Sequence, residues 1–377
     1  MTVMRPWQLL ASGIAAVAFA VTAAAVPPPV KARAYILVNP ETEDVLVEHA
    51  ADTRLPMAST TKMMTAIVTL ERTALGAIVV VPRAAATPGG STSGLVSGER
   101  LSVRALLTGL MVGSGNDASV ALARFVGHGS EQRFVKLMNA EAVAMGLTGT
   151  HFANPHGLDH AGHYSTVRDL VALGQQTLQR PFLRQVVAHR VAHIPGPGGH
   201  GTRRLESEND LLSIDRDVDG IKTGHTRGAG YSVVAHARRR STGVELYAAM
   251  IGSPGRAQRA RDAKRLLDWG FSQYFRVVPL RKNQVIVFVP VRDRPGVAVP
   301  LIVDTELAAT IKVGHSLKRT IVAPAELVAP VAAGTVVGEV RVTDGARVVG
   351  VRKLIVAHAI DGPSVAERIR SGIGRLV

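Results

Sequence analysis

The stretch "LPMASTTKMMTA", residues 55–66, places a hydroxyl and an amine inside a run that is otherwise apolar. The apolar residues after Pro56 follow the spacing of an amphipathic helix that enters a core, and they are Met63, Met64, Ile67, Val68 and Leu70. Ser59 and Lys62 lie three positions apart, so they share one face of this predicted helix. Because such a pair also occurs by chance, as a helix N-cap serine with a lysine that reaches solvent, other motifs must decide its meaning.

Two further motifs follow in the chain. Ser114-Gly115-Asn116 comes after a predicted helix end, and Lys222-Thr223-Gly224 lies in text typical of a strand. Ser-x-x-Lys, a Ser-x-Asn element and Lys-Thr-Gly in this order are the signature of penicillin-interacting serine enzymes. A lysine whose pKa is lowered by burial beside apolar groups can take the proton of an attacking serine. The three motifs together therefore predict acyl transfer through Ser59.

Beyond these motifs, the chain resembles the low-molecular-mass penicillin-binding proteins of the D-alanyl-D-alanine carboxypeptidase family. The similar segments extend over nearly everything after residue 25, and they read "KARAYILVNPETEDVL", "LPMASTTKMMTA", "LMVGSGNDASVALA", "HFANPHGLDHAGHYSTVRDL", "DGIKTGHTRGAGYSVVA" and "LLDWGF". The resemblance implies an α+β fold of the penicillin-binding-protein and serine β-lactamase type. In that fold an antiparallel sheet is covered by helices beside a helical lobe, and a small all-β domain follows.

The resemblance also implies the catalytic roles. Ser59 attacks the carbonyl of a D-Ala-D-Ala bond, with Lys62 as the acylation base. Ser114 relays a proton to the leaving amine, and Asn116 orients Lys62 and the substrate amide. Backbone N–H groups of Ser59 and His225 form the oxyanion hole.

Substrate binding is implied for the Lys-Thr-Gly segment. Lys222 and Thr223 face the terminal carboxylate of the substrate, which favours a free C-terminus over an internal peptide. Gly224 lets the strand approach the docked peptide closely. An arginine of the "GRAQR" segment, Arg256 or Arg259, is a further candidate for the carboxylate.

The activity implied is removal of the terminal D-alanine from peptidoglycan pentapeptides, without a cofactor and with β-lactam antibiotics as covalent inhibitors. A serine β-lactamase is the alternative, although no Glu-x-x-Leu-Asn-like element lies between Ser114 and Lys222. A D,D-endopeptidase is another, but such relatives tend to lack the β domain. A non-enzymatic peptidoglycan-binding protein is disfavoured because all three motifs are intact.

A group of histidines, His156, His160 and His163, lies near Asp159. Prolines and glycines between them prevent the regular helix on which spaced histidines usually bind a metal, so we predict a structural loop and no metal. Asp117 is predicted to cap the helix that follows the Ser-x-Asn element.

The composition restricts the partners. The net charge is +15, aromatic residues make up 4% of the chain, and there is no cysteine. The scarcity of aromatics and the scattered positive charge argue against nucleic acid. The basic balance fits an enzyme working beside anionic lipid and acidic wall polymer.

The N-terminal text predicts export. Arg5 precedes a long apolar run that ends at Ala23-Ala24-Ala25, which is the layout of a secretory signal peptide over residues 1–25. A retained membrane anchor is the alternative, since the run is near spanning length. Either reading places the remainder across the cytoplasmic membrane, and we expect it in the periplasm, on the outer face of the inner membrane.

We expect a catalytic domain over residues 26–276, a β-rich domain over 277–360 with a hairpin at Asp344-Gly345, and an amphipathic helix over 361–377. Basic residues on that last helix predict peripheral membrane association, with a frayed tail or a docked helix as alternatives. The segment 194–204, "IPGPGGHGTRR", is predicted to be loop.

Overall fold

The structure is a computed structural model that describes residues 12–17, 26–86, 89–292 and 294–362. It divides into two compact units at the junction of Ser272 and Gln273. The first unit contains the helices α1 (Lys62–Arg72), α2 (Val103–Met111), α3 (Asn116–Val126), α4 (Glu131–Ala144), α5 (Val167–Leu178), α6 (Pro181–Val187), α7 (Leu211–Ile214) and α8 (Arg256–Ser272). Short 3₁₀ turns lie at Ala58–Thr61, Arg83–Ala85 and Pro197–Gly199.

Strands occur in both units. Those of the first unit are β2 (Ala34–Val38), β3 (Val45–His49), β4 (Ile78–Val80), β5 (Arg100–Ser102), β6 (Val191–Pro195), β7 (Thr202–Glu206), β8 (Val218–Thr226), β9 (Gly230–Arg238) and β10 (Glu245–Ser253). Those of the second unit are β1 (Ser12–Val17), β11 (Tyr274–Leu280), β12 (Val285–Pro290), β13 (Ala298–Val303), β14 (Leu307–Lys312), β15 (Leu317–Val322), β16 (Val336–Asp344) and β17 (Arg347–Val356).

The main sheet of the first unit is antiparallel with the strand order β3-β2-β10-β9-β8. The predicted hairpin of β2 and β3 turns at Asn39, whose Oδ1 accepts the N–H groups of Glu41 (2.9 Å) and Thr42 (3.3 Å). Strand β8 lies at the opposite edge and carries the Lys-Thr-Gly motif. An edge strand presents unpaired backbone groups, so a peptide can bind alongside it.

Helices cover both faces of this sheet. Tyr247 and Leu246 are neighbours in β10, so their side chains point to opposite faces. A Cβ added at Gly174 of α5 would contact Tyr247 at 3.8 Å, and one added at Gly270 of α8 would meet Leu246 at 2.8 Å. Helices α5 and α8 therefore enclose the sheet between them.

Helix α1 is the centre of the helical part. It contacts α2, α3, α4 and α5, and every residue from Lys62 to Thr69 is buried. This differs from the predicted amphipathic helix, because neighbouring helices surround the first two turns instead of leaving one face to water. The helix also begins later than the sequence indicated, since Ser59 lies in the preceding 3₁₀ turn.

The loop predicted for residues 194–204 is partly wrong. Residues 191–195 and 202–206 pair as the antiparallel ribbon β6–β7, and a turn with glycines at positive φ, among them Gly198 and Gly201, joins the strands. The many glycines and prolines of this segment favoured a loop prediction, although two short strands lie there. Within the described sheets, β6 and β7 pair only with each other. Arg203 of β7 forms a two-pronged ion pair with Glu99, at 2.7 and 2.8 Å, which secures the ribbon.

The second unit is all-β. Its larger sheet has the order β1-β15-β16-β17-β13-β12, and β11 pairs with β14. The predicted hairpin is present, because Asp344 pairs with Arg347 across Gly345, which has a φ of +57°. A core of valine, leucine and isoleucine fills this unit.

Two predictions concern the chain ends. Residues 1–11 and 18–25 of the predicted signal peptide lie outside the described residues, while Ser12–Val17 forms β1 antiparallel to β15. Of the predicted C-terminal helix over residues 361–377, residues 363–377 are also outside the description. Within the described ranges, no helix is both long and apolar enough to cross a membrane.

Candidate active site

Ser59 and Lys62 meet at the N-terminus of α1. The Nζ of Lys62 donates to Ser59 Oγ at 2.7 Å, to Asn116 Oδ1 at 2.6 Å and to Ser114 Oγ at 3.4 Å. As an ammonium, Lys62 could donate to all three oxygens, whereas the neutral amine keeps two donors and one lone pair, which can accept the Ser59 hydroxyl proton. The Lys62 side chain thus connects the predicted nucleophile to the second motif, 52 and 54 residues later in the chain.

The environment of Lys62 favours its neutral form. The residue is fully buried, and desolvation followed by the charge of Lys222 lowers the pKa of its amine well below the ordinary value. Glu208 and Asp117 oppose this shift by their negative charge. The lowered pKa increases the share of neutral amine, and a neutral amine can accept a proton from a hydroxyl 2.7 Å away.

The Ser-Gly-Asn segment joins α2 to α3. Ser114 adopts a φ of +55°, a region that serine rarely occupies, and Asn116 is the first residue of α3. The Asn116 amide donates from Nδ2 to the carbonyl of Gly89 at 2.6 Å, which leaves Oδ1 to accept from Lys62. Unusual backbone conformations of this kind concentrate at functional sites.

Asp117 does not cap α3, so this prediction was wrong. The N-cap position belongs to Gly115. The fully buried carboxylate of Asp117 accepts the N–H of Ala118 in the first turn of α3 (2.8 Å), and it also accepts the N–H groups of Ser93 (2.9 Å) and Leu95 (3.0 Å) and the hydroxyl of Thr92 (2.6 Å). These contacts hold the 92–95 loop against α3. Such bonds across 22 to 25 residues could not be read from local sequence.

The Lys-Thr-Gly motif occupies β8 beside the 3₁₀ turn. Lys222 donates to Ser114 Oγ at 2.9 Å and to the Thr223 carbonyl at 3.0 Å, and desolvation lowers the pKa of its amine to about 8. A Cβ at Gly224 would lie 2.7 Å from the Ser59 nitrogen. Glycine is therefore required for the approach of β8 to the turn that carries Ser59.

A cavity of about 390 Å³ opens beside the nucleophile. Residues around it include Ser59, Asn116, Leu158, Glu208, His225 and Thr226. The imidazole of His225 stacks on Tyr231 with ring centroids 4.0 Å apart. The cavity thus lies between Ser59 and the end of β8, to which His225 and Thr226 belong.

The sequence missed Glu208 and Leu158 as cavity residues, and no local motif marks them. Of the two candidate arginines, Arg256 pairs with Asp210 at 2.7 Å on the surface. Arg259 is 3% exposed and donates to the Glu208 carbonyl at 2.9 Å, and its charge contributes to the lowered pKa of Lys222. Of the two arginines, Arg259 is thus the buried one, and its charge acts on Lys222 of the Lys-Thr-Gly motif.

The histidine group is dispersed in the loop between α4 and α5. Asp159 accepts from the Thr226 hydroxyl at 2.6 Å and the Gly228 N–H at 2.9 Å, which ties this loop to the end of β8. His156 and His160 accept local backbone N–H groups, and His163 contacts Thr61. No cluster suited to a metal ion occurs within the described ranges.

Comparison with known proteins agrees with this geometry. Residues 20–254 match the D-alanyl-D-alanine carboxypeptidase family of serine peptidases, and residues 275–361 match the C-terminal domain of penicillin-binding protein 5. The chain therefore belongs to the D-alanyl-D-alanine carboxypeptidase family, as the sequence motifs indicated.

Among its relatives, the D-alanyl-D-alanine carboxypeptidase DacA of Escherichia coli is 35% identical over 88% of this chain and 84% of its own length. The crystal structure of penicillin-binding protein 5 from Haemophilus influenzae has a TM-score of 0.64 at 28% identity, over 89% of this chain and 99% of that one. The Streptomyces K15 DD-transpeptidase structure has a TM-score of 0.62 at 32% identity, over 66% and 100%. The predicted fold class is confirmed by these structures.

Proposed function

We propose that the protein is a serine-type D-Ala-D-Ala carboxypeptidase that removes the terminal D-alanine of peptidoglycan pentapeptides through an acyl-enzyme on Ser59. One observation carries the proposal: a buried Lys62 contacts Ser59, while Lys222 and Lys62 both reach the hydroxyl of Ser114. Membership of the carboxypeptidase family and the names of its relatives support the same enzyme class.

Acylation begins with Ser59 Oγ attacking the carbonyl carbon of the bond between the two D-alanines. Neutral Lys62 takes the hydroxyl proton, and the oxygen that gains negative charge binds the backbone N–H groups of Ser59 and His225. An oxyanion donor of this kind is typically worth about 3 kcal/mol of barrier. The C–N bond then breaks as the proton passes from Lys62 through Ser114 to the leaving amine. Ser114 is placed for this relay, since its Oγ lies 3.4 Å from Lys62 Nζ.

The departing D-alanine carries the free carboxylate. Lys222, whose ammonium is 2.9 Å from Ser114 Oγ, supplies the positive charge for it together with the hydroxyl of Thr223. Deacylation repeats the sequence with water as nucleophile and Lys62 as base. A β-lactam follows the same first step, but its leaving amine stays attached to the ester, so we expect a slowly cleared covalent adduct.

The test is made on purified residues 26–377 with a pentapeptide ending in D-Ala-D-Ala and, in parallel, a crosslinked peptide dimer and a fluorescent penicillin. Release of D-alanine and a persistent label, both abolished in Ser59→Ala, are the expected results. Rapid penicillin turnover without release of D-alanine would identify a β-lactamase. Cleavage of crosslinked dimers in preference to the pentapeptide would identify an endopeptidase, and absence of label would identify a non-enzymatic binding protein.

We also propose that the enzyme works in the periplasm, attached to the outer face of the inner membrane. The apolar run of residues 1–25 supports export, and its removal deletes only Arg5, so the remaining chain keeps a net charge of 15 − 1 = +14. Arg368, Arg370 and Arg375 lie on the segment proposed to bind anionic lipid. Changing all three to glutamate should release the protein from anionic vesicles, and unchanged binding would contradict this attachment.

A further inference from the structure

The residue just before the nucleophile has an unusual backbone. Ala58 has a φ of +51° and is fully buried. A residue with a Cβ persists in this left-handed region when its surroundings hold it there. The contacts around the Ala58–Ser59 peptide therefore indicate what fixes it.

A directed chain of hydrogen bonds ends on this peptide. The N–H of Ala153 donates to His163 Nδ1 at 3.0 Å, so Nδ1 is an acceptor and the ring proton lies on Nε2. His163 Nε2 is 2.7 Å from Thr61 Oγ1 and donates to it, which leaves the Thr61 hydroxyl proton for the carbonyl oxygen of Ala58 at 2.8 Å. Each hydrogen bond of this chain therefore has a fixed donor and a fixed acceptor, from Ala153 through His163 and Thr61 to the Ala58 carbonyl.

The chain is shielded from water. Thr61 is fully buried, His163 is 2% exposed, and the ring of Phe152 lies edge-on to His163 at a centroid distance of 6.0 Å. Burial lowers the pKa of His163 to about 3, with smaller effects of the same sign from His151, His156 and His160 and an opposing one from Asp159. The imidazole consequently stays neutral and keeps its donor on Nε2 across the working pH range.

The carbonyl of Ala58 and the N–H of Ser59 belong to one trans peptide, so they point in opposite directions. Ser59 is the second residue of its 3₁₀ turn, where a helix offers the N–H no internal acceptor. Gly157 packs so closely that an added Cβ would clash with the Ala58 oxygen, and Gly224 approaches the Ser59 nitrogen from β8. The peptide is enclosed between these two glycines.

We propose that Thr61 and His163 are positioning residues, which hold the Ala58 carbonyl so that the Ser59 N–H points at the oxygen that becomes negative during acylation. This rests on the proposed acyl-enzyme at Ser59. The two side chains do not touch the substrate and act through the peptide plane alone. Their loss would leave the substrate bound but its transition state less well stabilised.

Thr60 provides a matched control. Its hydroxyl makes the same type of bond, to the Met57 carbonyl at 2.7 Å, and it is as fully buried as Thr61. The carbonyl it holds belongs to the Met57–Ala58 peptide, which lacks the Ser59 N–H. Valine at either position removes the hydroxyl and nearly keeps the side-chain shape. The two variants therefore differ in which backbone carbonyl loses its hydrogen bond, that of Met57 or that of Ala58.

The experiment measures the binding constant and the acylation rate constant of a fluorescent penicillin separately, together with Tm, for the wild type, Thr61→Val, Thr60→Val and Thr61→Ser. A lost oxyanion donor costs about 10²–10³ in rate, and a misdirected one should cost about 30-fold. For Thr61→Val we expect the acylation rate constant to fall by about 30-fold, while the binding constant stays within about threefold of the wild-type value. Thr60→Val should lower Tm similarly without this loss, and Thr61→Ser should recover most of the rate.

Equal rates in Thr61→Val and Thr60→Val would overturn the inference, as would a loss confined to the binding constant. A wild-type protein that takes no label would instead refute the proposed function. If Thr61→Val does not fold, His163→Gln and His163→Leu replace it. The amide of the introduced glutamine can donate to Thr61, so His163→Gln should be acylated faster than His163→Leu. Equal acylation rates for the two variants would again overturn the inference.

Discussion

The interiors of the two units differ in the charge they contain. Within the described residues, the buried charged side chains all precede residue 273, and they are Lys62, Asp117, Asp215, Lys222, Arg259 and Asp262. The core of the second unit is formed by apolar residues such as Leu301, Val340 and Leu354. Burying a charge is costly unless it is paired and hydrogen-bonded. In the first unit, Lys62 and Lys222 are buried near Ser59 and Ser114, and burial lowers the pKa values of both amines. The proposed acylation uses these lowered pKa values.

The largest expected effect comes from Lys62→Met, which fills the space of the buried amine with an apolar chain. Acylation by penicillin should fall by about 10²–10⁴, the range of a lost general base. Stopped-flow labelling measures it, with Ser59→Ala as the baseline. An acylation rate within threefold of wild type would show that another group accepts the proton of Ser59.

Lys222→Gln should have a smaller effect, because this lysine is proposed to bind the carboxylate and not to start the reaction. A hydrogen bond to a charged group is worth about 1.5–3 kcal/mol, so kcat/KM for the pentapeptide should fall by about 10- to 150-fold. A pentapeptide with an amidated C-terminus is the comparison substrate. The variant should lose the preference for the free acid, and a preserved preference would assign the carboxylate to Arg259.

The pH dependence of turnover should report the charge of Lys222. The pKa of Lys222 is about 8, so its ammonium is present below that pH and is lost above it. Turnover of the free-acid pentapeptide should fall by up to about tenfold per pH unit above pH 8, and the amidated peptide should lack this decline. A decline shared by Lys222→Gln would attribute it to a different group.

The smallest effect is expected in the second unit, at the hairpin of β16 and β17. Gly345 has a φ of +57° and open space around its Cα, so Gly345→Ala introduces backbone strain without a clash. The free energy of unfolding of this unit should drop by about 1 kcal/mol, and D-alanine release should not change. Denaturant unfolding and the pentapeptide assay check the two parts, and altered turnover would show that the units are coupled.

The family and the fold class could be predicted from the sequence because their signals are local. Ser59 and Lys62 are three residues apart, and Lys222 to Gly224 are consecutive, so each motif is visible without the fold. The roles assigned to these residues stay predictions, although the structure brings Ser59, Lys62, Ser114, Asn116 and Lys222 within hydrogen-bonding reach.

The errors of the sequence reading arose where contacts span long stretches of chain. The role of Asp117 depends on a loop more than 20 residues earlier, and the ribbon β6–β7 is stabilised through Glu99. Burial of α1 on all sides depends on four other helices, which no window along the chain can show.

The sequence by itself determined the chemical groups, their order and most of the helices and strands near them, because spacing and residue type act locally. Tertiary structure alone decided how much water each group retains. It buried Lys62 and Lys222, brought Arg259 rather than Arg256 inward, and placed His163 against Thr61, 102 residues apart. Desolvation and through-space charge set the pKa values of these groups, and both depend on neighbours that only folding brings together.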